Sequence, residues 1–279
     1  MMARISKKTW NNYIKMLSRI DDRATKEMLA MITKLSNQYN AGIITLEEYE
    51  SAAIDYAYAL ATKYGEAAGA AASEMYDAIA KLQGAKVPPA VPAQTATMAE
   101  TAKAIKGTMK TGNLDIVAQA AGRLTKQAGA DTMLQNAQRD KAYFAWVAQG
   151  DTCPFCLTLA ALGWQKAGKL TLEGGHAEHI HANCDCTYAI DFTGDLEIGG
   201  YDPYELNQMV QDMTGEEYDA VDIIRVSGHN AKGHDNTGLN MIRRKAYAEN
   251  KKAINAQKRS AYAKRIALNS SAAEEIKVN

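Results

Sequence analysis

The sequence has no long hydrophobic segment, no signal-like start and no excess of charge. Its most Ala-rich stretch, residues 57–73, contains Lys63 and Glu66, so it offers no run of about 18 apolar residues for a membrane-spanning helix. Residues 1–10 are polar and basic with no apolar core behind them, which speaks against secretion. A formal net charge of zero gives no global preference for nucleic acid or membrane. We therefore expect a soluble protein.

Phenylalanine is also scarce, with 3 residues against 14 tyrosines and 12 methionines in a chain of 279. Alanine is common. This mixture suits long helices that pack closely through small side chains better than it suits a β-sandwich core. The length allows one large domain or two modest ones.

The N-terminal region is predicted to be a long antiparallel helical hairpin spanning residues 1–84. Apolar side chains recur at three- and four-residue steps from Trp10 to Tyr39. Thr45-Leu46-Glu47-Glu48 has the form of a capping box, and a second apolar stripe follows it as far as Leu82. The turn is expected near Gly42. Gly65 and Gly69 indicate either close helix contact or a locally loose helix.

A proline-rich linker is predicted at residues 85–97, because Val87-Pro88-Pro89-Ala90-Val91-Pro92 removes backbone donors and fixes extended dihedral angles. Beyond it, residues 99–110 and 114–148 are predicted to be helical, with a break at Thr111-Gly112-Asn113. A short helix at 157–162 and a turn with a short strand at 163–172 should follow.

All four cysteines fall between positions 153 and 186, in two groups. The first group is Cys153-Pro154-Phe155-Cys156, and the second is His181-Ala182-Asn183-Cys184-Asp185-Cys186. A Cys-x2-Cys pair offers two thiolates from one tight turn, and the later group offers further ligands that can close a tetrahedral shell. The pattern predicts a zinc site with these candidate ligands: Cys153, Cys156, His181, Cys184 and Cys186.

Five candidates compete for four coordination positions. If residues 184–192 are extended, Cys184 and Cys186 point to one face and both can face the metal, which makes His181 a rival of Cys186 for the fourth position. A shell filled by Cys and His indicates a structural zinc, because a catalytic zinc keeps one position for water. Two disulfides or unpaired thiols are the alternatives. His176 and His179 are interpreted as loop histidines rather than ligands.

No catalytic constellation accompanies the cysteines. The His-Glu-x2-His pattern of zinc proteases and the Gly-x-Ser-x-Gly elbow are both absent, and no cysteine is left outside the cluster. We predict a protein with no enzymatic activity and no small-molecule substrate. The rival interpretation, a redox or hydrolytic enzyme, requires a reactive thiol or an open metal position.

Charge separates along the C-terminal part of the chain. Residues 191–222 hold ten acidic residues and no Lys or Arg, and we interpret residues 193–238 as an acidic segment. Residues 239–279 are predicted to form a basic helix or tail that can neutralise DNA phosphates, or pair with acidic protein surfaces. Against the single acid Glu249, its cations between Leu239 and Leu268 are Arg243, Arg244, Lys245, Lys251, Lys252, Lys258, Arg259, Lys264 and Arg265.

The run 142–164, which contains Cys153-Pro154-Phe155-Cys156, and the group His181-Ala182-Asn183-Cys184-Asp185-Cys186 together resemble the MuF-like minor capsid (head morphogenesis) proteins of tailed bacteriophages. In that family a Cys-x2-Cys knuckle is followed, a few tens of residues later, by His-x2-Cys-x-Cys. The motif covers residues 140–192. The resemblance implies an assembly role in the virion, reached through the host cytoplasm, with portal or capsid proteins as partners and, in some members, DNA.

These observations predict a mainly α protein with a small zinc-stapled α+β module. Its expected order is a helical hairpin (1–84), a proline-rich linker (85–97), a helical region with the MuF-like module (98–192), an acidic segment (193–238) and a basic C-terminal helix (239–279). Double-stranded DNA is the expected ligand of the basic helix, and no membrane partner is expected. The alternative function is a zinc-knuckle DNA-binding regulatory protein. That function requires DNA binding by the basic tail to be the main role of the chain.

Overall fold

The computed structural model describes residues 3–147, 159–168 and 187–214. Within these ranges the chain is mainly helical with a small sheet, as the sequence predicts. No described helix is long and apolar enough to cross a membrane. The elements in chain order are β1 (Arg4–Ile5), α1 (Lys7–Asn40), α2 (Leu46–Gln83), α3 (Met98–Met109), α4 (Leu114–Arg139), β2 (Tyr143–Val147), β3 (Gln165–Lys166), β4 (Thr187–Asp191), β5 (Glu197–Ile198) and α5 (Pro203–Thr214).

Helices α1 and α2 form the predicted antiparallel hairpin. The capping box at the start of α2 is present, since the Thr45 hydroxyl accepts from the Glu48 N–H while the Glu48 carboxylate accepts from the Thr45 N–H. Gly42 has a φ of +69° at the turn, a conformation that side chains with a Cβ rarely adopt. Tyr39 and Tyr49 stack across the turn with ring centroids 5.5 Å apart.

Helix α4 packs on both helices of the hairpin. At Gly122 a Cβ would collide with the Asp21 carboxylate of α1, and Asp21 also pairs with Lys126 at 3.1 Å. At Gly129 a Cβ would lie 3.4 Å from the Ala68 carbonyl of α2. Glycines at these contacts let the helix backbones approach closely. The core on this side of the bundle contains Met28, Ile32, Leu60, Ile105 and Ala121.

Residues 85–97, here called the proline strap, lie across α2 and α4. Asn136 donates to the Val91 carbonyl at 2.8 Å and accepts from the Val91 N–H at 2.9 Å. The Ala93 N–H donates to the Thr132 hydroxyl at 2.9 Å. The Arg139 guanidinium donates to the carbonyls of Pro88 and Pro89. The strap thus runs over a core that α1 and α2 share with α4.

The two glycines in α2 are sites of close contact. A Cβ on Gly65 would lie 2.9 Å from the Thr95 methyl group of the strap and 3.3 Å from the Ala128 Cβ of α4. A Cβ on Gly69 would lie 3.4 Å from Pro92. Of the two sequence interpretations, the structure therefore supports close packing, and the strap is packed there together with α4.

The predicted helix over residues 114–148 was wrong in its last part. Helix α4 ends at Arg139, and Lys141 reverses the chain with a φ of +55°. Residues 143–147 then form β2, because the aromatic and β-branched run Tyr-Phe-Ala-Trp-Val pairs with β4 over five positions. Tertiary strand pairing overrides the helical spacing of the local sequence.

The sheet has the strand order β3–β2–β4, and both pairings are antiparallel. The predicted extended segment before Phe192 and the predicted short strand after Gly163 are confirmed as β4 and β3. Residues 188–191 are all buried, so β4 is covered on both faces and not on one. A second, two-residue pairing joins β1 to β5 in parallel.

Candidate metal centre and its flanking sheet

The predicted zinc ligands Cys153, Cys156, His181, Cys184 and Cys186 all lie outside the described residues. The sheet holds the chain on both sides of them. Val147, at the end of β2, precedes the first cysteine by six positions, and Thr187, at the start of β4, directly follows the last one. Val147 and Thr187 are register partners across the two strands. The two cysteine segments therefore join the described fold at the same end of one strand pair.

The chain between the two cysteine groups is also anchored. Leu159 and Ala160 are buried, and the Tyr201 hydroxyl donates to the Ala160 carbonyl at 2.8 Å. Gly163, with a φ of +65°, lies against the Pro203 ring at the start of α5. Leu159 follows Cys156 by three positions, and a three-residue connection spans at most about 11 Å. By chain length alone, Cys156 can be no more than about 11 Å from this buried point of the core.

An aromatic cluster forms one face of the sheet. The ring centroids of Phe144 and Trp146 are 4.8 Å apart, and those of Trp146 and Tyr188 are 5.8 Å apart. Gln165 is 8% exposed, and neither its amide nor the Trp146 indole N–H has a hydrogen-bond partner among the residues described. Buried polar groups without partners cost stability, so this corner of the core is a site where water or a further polar group would be stabilised.

Asp191, at the end of β4, ties the sheet to the end of α2. Its side chain is fully buried. One carboxylate oxygen accepts from the Gln83 amide at 2.6 Å and from the Thr193 N–H at 2.9 Å, and the other accepts from the Leu196 N–H at 2.8 Å. Gln83 also accepts from the Phe192 N–H at 3.0 Å. This network sets the direction in which the chain leaves β4.

Burial by itself raises the pKa of the Asp191 carboxyl. The hydrogen bonds from the Leu196 N–H and the Gln83 side chain outweigh burial and hold the pKa below its usual range. Asp191 is therefore ionised at neutral pH and is a structural anchor. Sequence reasoning missed it, although Asp191-Phe192-Thr193-Gly194 is a turn signal directly after a strand pattern.

The predicted ligands are of the chemical type that zinc prefers. Cys and His are the ligands of closed structural zinc sites, and a metal staple would stabilise a three-stranded sheet whose marginal strand β3 has only two residues. The described ranges themselves contain no group of three or more His, Cys, Asp or Glu that could hold a metal. The nine predicted DNA-binding cations of residues 243–265, and all of the predicted basic helix, lie beyond residue 214 and thus outside the described chain.

The family profile described as VG15 protein matches residues 4–213. The chain belongs to this family. The match covers the bundle, the sheet and both cysteine groups, and it stops before the basic tail. VG15 proteins are phage-related, so this is a phage protein. No curated protein and no solved structure matches the chain.

Proposed function

We propose that this VG15 family protein is a non-enzymatic minor capsid (head morphogenesis) protein with a structural zinc. Membership of a phage-related family supports a role in the virion. The finer assignment depends on the two cysteine groups, whose order and spacing resemble those of the MuF-like proteins. The observation that carries it is the pairing of Val147 with Thr187, since this register starts both cysteine segments from one end of the same strand pair.

The zinc is proposed to be held by Cys153, Cys156 and Cys184, with His181 or Cys186 in the fourth position. Thiolate and imidazole ligands favour zinc, and a filled shell supplies stability without a catalytic water. Because such a site is absent from the unfolded chain, metal binding contributes directly to folding of the module. The zinc would then close the two long connections that leave β2 and enter β4.

Elemental analysis of the purified protein tests the metal. We expect one zinc per chain, lost in Cys153→Ser and in Cys184→Ser but retained in the control His176→Ala. Thiol titration of the native protein should find no fast-reacting cysteine. Protein without zinc, whose mass shows two disulfides, would overturn the metal assignment and leave the family assignment standing.

Portal or capsid proteins are the proposed partners, contacted through the N-terminal hairpin. The tip of the hairpin exposes apolar side chains, with Ile43 at 69% and Leu46 at 51% exposed. Because α1 and α2 share their core with α4, a point variant tests this contact better than a deletion. Ile43→Asp should lower incorporation into particles, whereas Ala67→Asp, at an exposed site along α2, should not.

Mass spectrometry of purified virions and procapsids tests the location. A few to tens of copies per particle would support a minor capsid protein. Complete absence from both particles would refute it, whatever the metal analysis shows. Association with double-stranded DNA through the basic tail is a separate part of the proposal, and replacing its nine cations by Gln in the full chain should weaken low-salt DNA binding.

A further inference from the structure

The outer face of α1 carries a row of six positively charged side chains, called here the α1 stripe. All of its members are exposed. At 100° per residue they fall within a sector of about 100°, and they extend over about 39 Å of helix at 1.5 Å per residue. The members are Lys8, Lys15, Arg19, Arg23, Lys26 and Lys34.

The α1 stripe is not neutralised by the part of the chain that the structure describes. Of the three acids in α1, Asp21 pairs with Lys126 of α4 and Glu27 pairs with Lys63 of α2. Only Asp22 is left on the outer face, at the edge of the sector. None of the six stripe cations forms an ion pair in the described ranges.

The α1 stripe gives the helix no clear net stabilisation, because the favourable spacings of Asp22 with Arg19 and Lys26 are offset by like-charge pairs. Lys15, Arg19 and Arg23 are like charges at four-residue spacing, which destabilises a helix by a few tenths of a kcal/mol per pair. The first turn of α1 has Lys7 and Lys8 and no acid, against the preference of the helix dipole. Neither the bundle nor the helix itself therefore accounts for six cations on one face.

The expected strength of protein–protein ion pairs and of phosphate contacts indicates which kind of partner suits the stripe. Exposed ion pairs between proteins contribute about 0–1 kcal/mol each and need an apolar core beside them. The stripe offers little of that, since Met16, 39% exposed, is its one large exposed hydrophobic neighbour among the described residues. Phosphate contacts need no apolar core, because counterion release by six cations gives a salt dependence with a slope of about −5.

We infer that the α1 stripe binds the phosphate backbone of double-stranded DNA without sequence preference. Its length of about 39 Å matches roughly one helical turn of the duplex, about 34–36 Å. The exposed amide of Asn12 lies in the same sector and can donate further hydrogen bonds to phosphate oxygens. This binding surface is distinct from the basic tail. It rests on neither the zinc site nor the capsid role.

The test uses the full chain with its tail intact. One variant replaces by Gln the four cations in the middle of the stripe along the helix, Lys15, Arg19, Arg23 and Lys26. The matched control removes four exposed cations elsewhere, Lys81, Lys86, Lys103 and Lys110. A third variant keeps the charge: at the same four positions each Lys is replaced by Arg and each Arg by Lys. Binding of a 30-base-pair duplex is followed by fluorescence anisotropy between about 50 and 200 mM salt.

The stripe variant should bind at least about tenfold more weakly at 50 mM salt, and the magnitude of its salt slope should fall by about 3.6, or 0.9 per cation removed. The control and the charge-keeping variant should stay within about twofold of the native protein. Equal DNA binding by the stripe variant and the native protein would overturn the inference. If sedimentation then showed that only the stripe variant loses self-association, the stripe would instead contact a second copy, whose α2 exposes Glu47, Asp55, Glu66 and Glu74.

Discussion

Replacing Asp191 by Asn should destabilise the protein strongly, although the two side chains have nearly the same shape. The carboxylate is fully buried and accepts hydrogen bonds on both oxygens, from Gln83 and Thr193 on one and from Leu196 on the other. An amide has only one acceptor oxygen. In either orientation of the Asn side chain, its NH₂ group therefore faces a buried donor.

The expected loss follows from these contacts. At least one hydrogen bond to a charged acceptor disappears, worth about 1.5–3 kcal/mol, and a buried N–H is left without a partner at a cost of about 1–3 kcal/mol. These two effects overlap, so we expect the free energy of unfolding to fall by about 2–4 kcal/mol at pH 7. Asp195→Asn, in the exposed part of the same loop, should change it by less than about 0.5 kcal/mol.

The pH dependence gives a second check on the same variant. The folded-state pKa of Asp191 is held below its usual range, so its contribution is complete above the unfolded-state pKa of about 3.9 and is lost as the pH falls through the folded pKa. The difference between the native protein and Asp191→Asn should therefore be constant from pH 5 to pH 8 and shrink below pH 4. Urea denaturation at each pH measures it, and a difference below about 0.5 kcal/mol at pH 7 would refute the anchoring role.

Three further perturbations test the bundle by thermal or urea unfolding. Gly122→Ala should destabilise the protein by about 1–3 kcal/mol because its Cβ would collide with the Thr25 and Asp21 side chains, whereas Gly107→Ala, with open space around it, should be neutral or stabilising. Equal effects of the two substitutions would contradict the close α1–α4 contact. Burial raises the pKa of Asp131 to about 6, so its ionisation destabilises the fold as pH rises through that value, and Asp131→Asn should stabilise by up to about 3 kcal/mol at pH 8 but not at pH 4. Asn136→Ala should lower the free energy of unfolding by about 2–4 kcal/mol because it removes both hydrogen bonds between Asn136 and Val91 of the strap. Rapid amide exchange of the strap in this variant, but not in the native protein, would show that Asn136 holds the strap in place.

The local sequence determined the helices and their ends to a large extent. The apolar spacing before and after Gly42 predicts both hairpin helices, and Thr45 with Glu48 marks the start of the second one, because capping needs only neighbouring residues. The break at residues 111–113 is also local, since Asn113 caps α4 through its own side chain. The cysteine spacing and the family motif can likewise be recognised from the sequence alone.

Only the tertiary structure decided how these elements are used. The prolines predict an extended segment, but its packing in the gap above Gly65 and Gly69 depends on Asn136, which is remote in sequence. Residues 143–147 form a strand because β4 pairs with them, beginning 40 positions further along the chain. The spacing of apolar residues within a local segment contains no information about such a distant strand partner. Asp191 becomes an anchor for the same reason: a buried carboxylate is stable only where distant donors converge on it, and that convergence is a property of the fold.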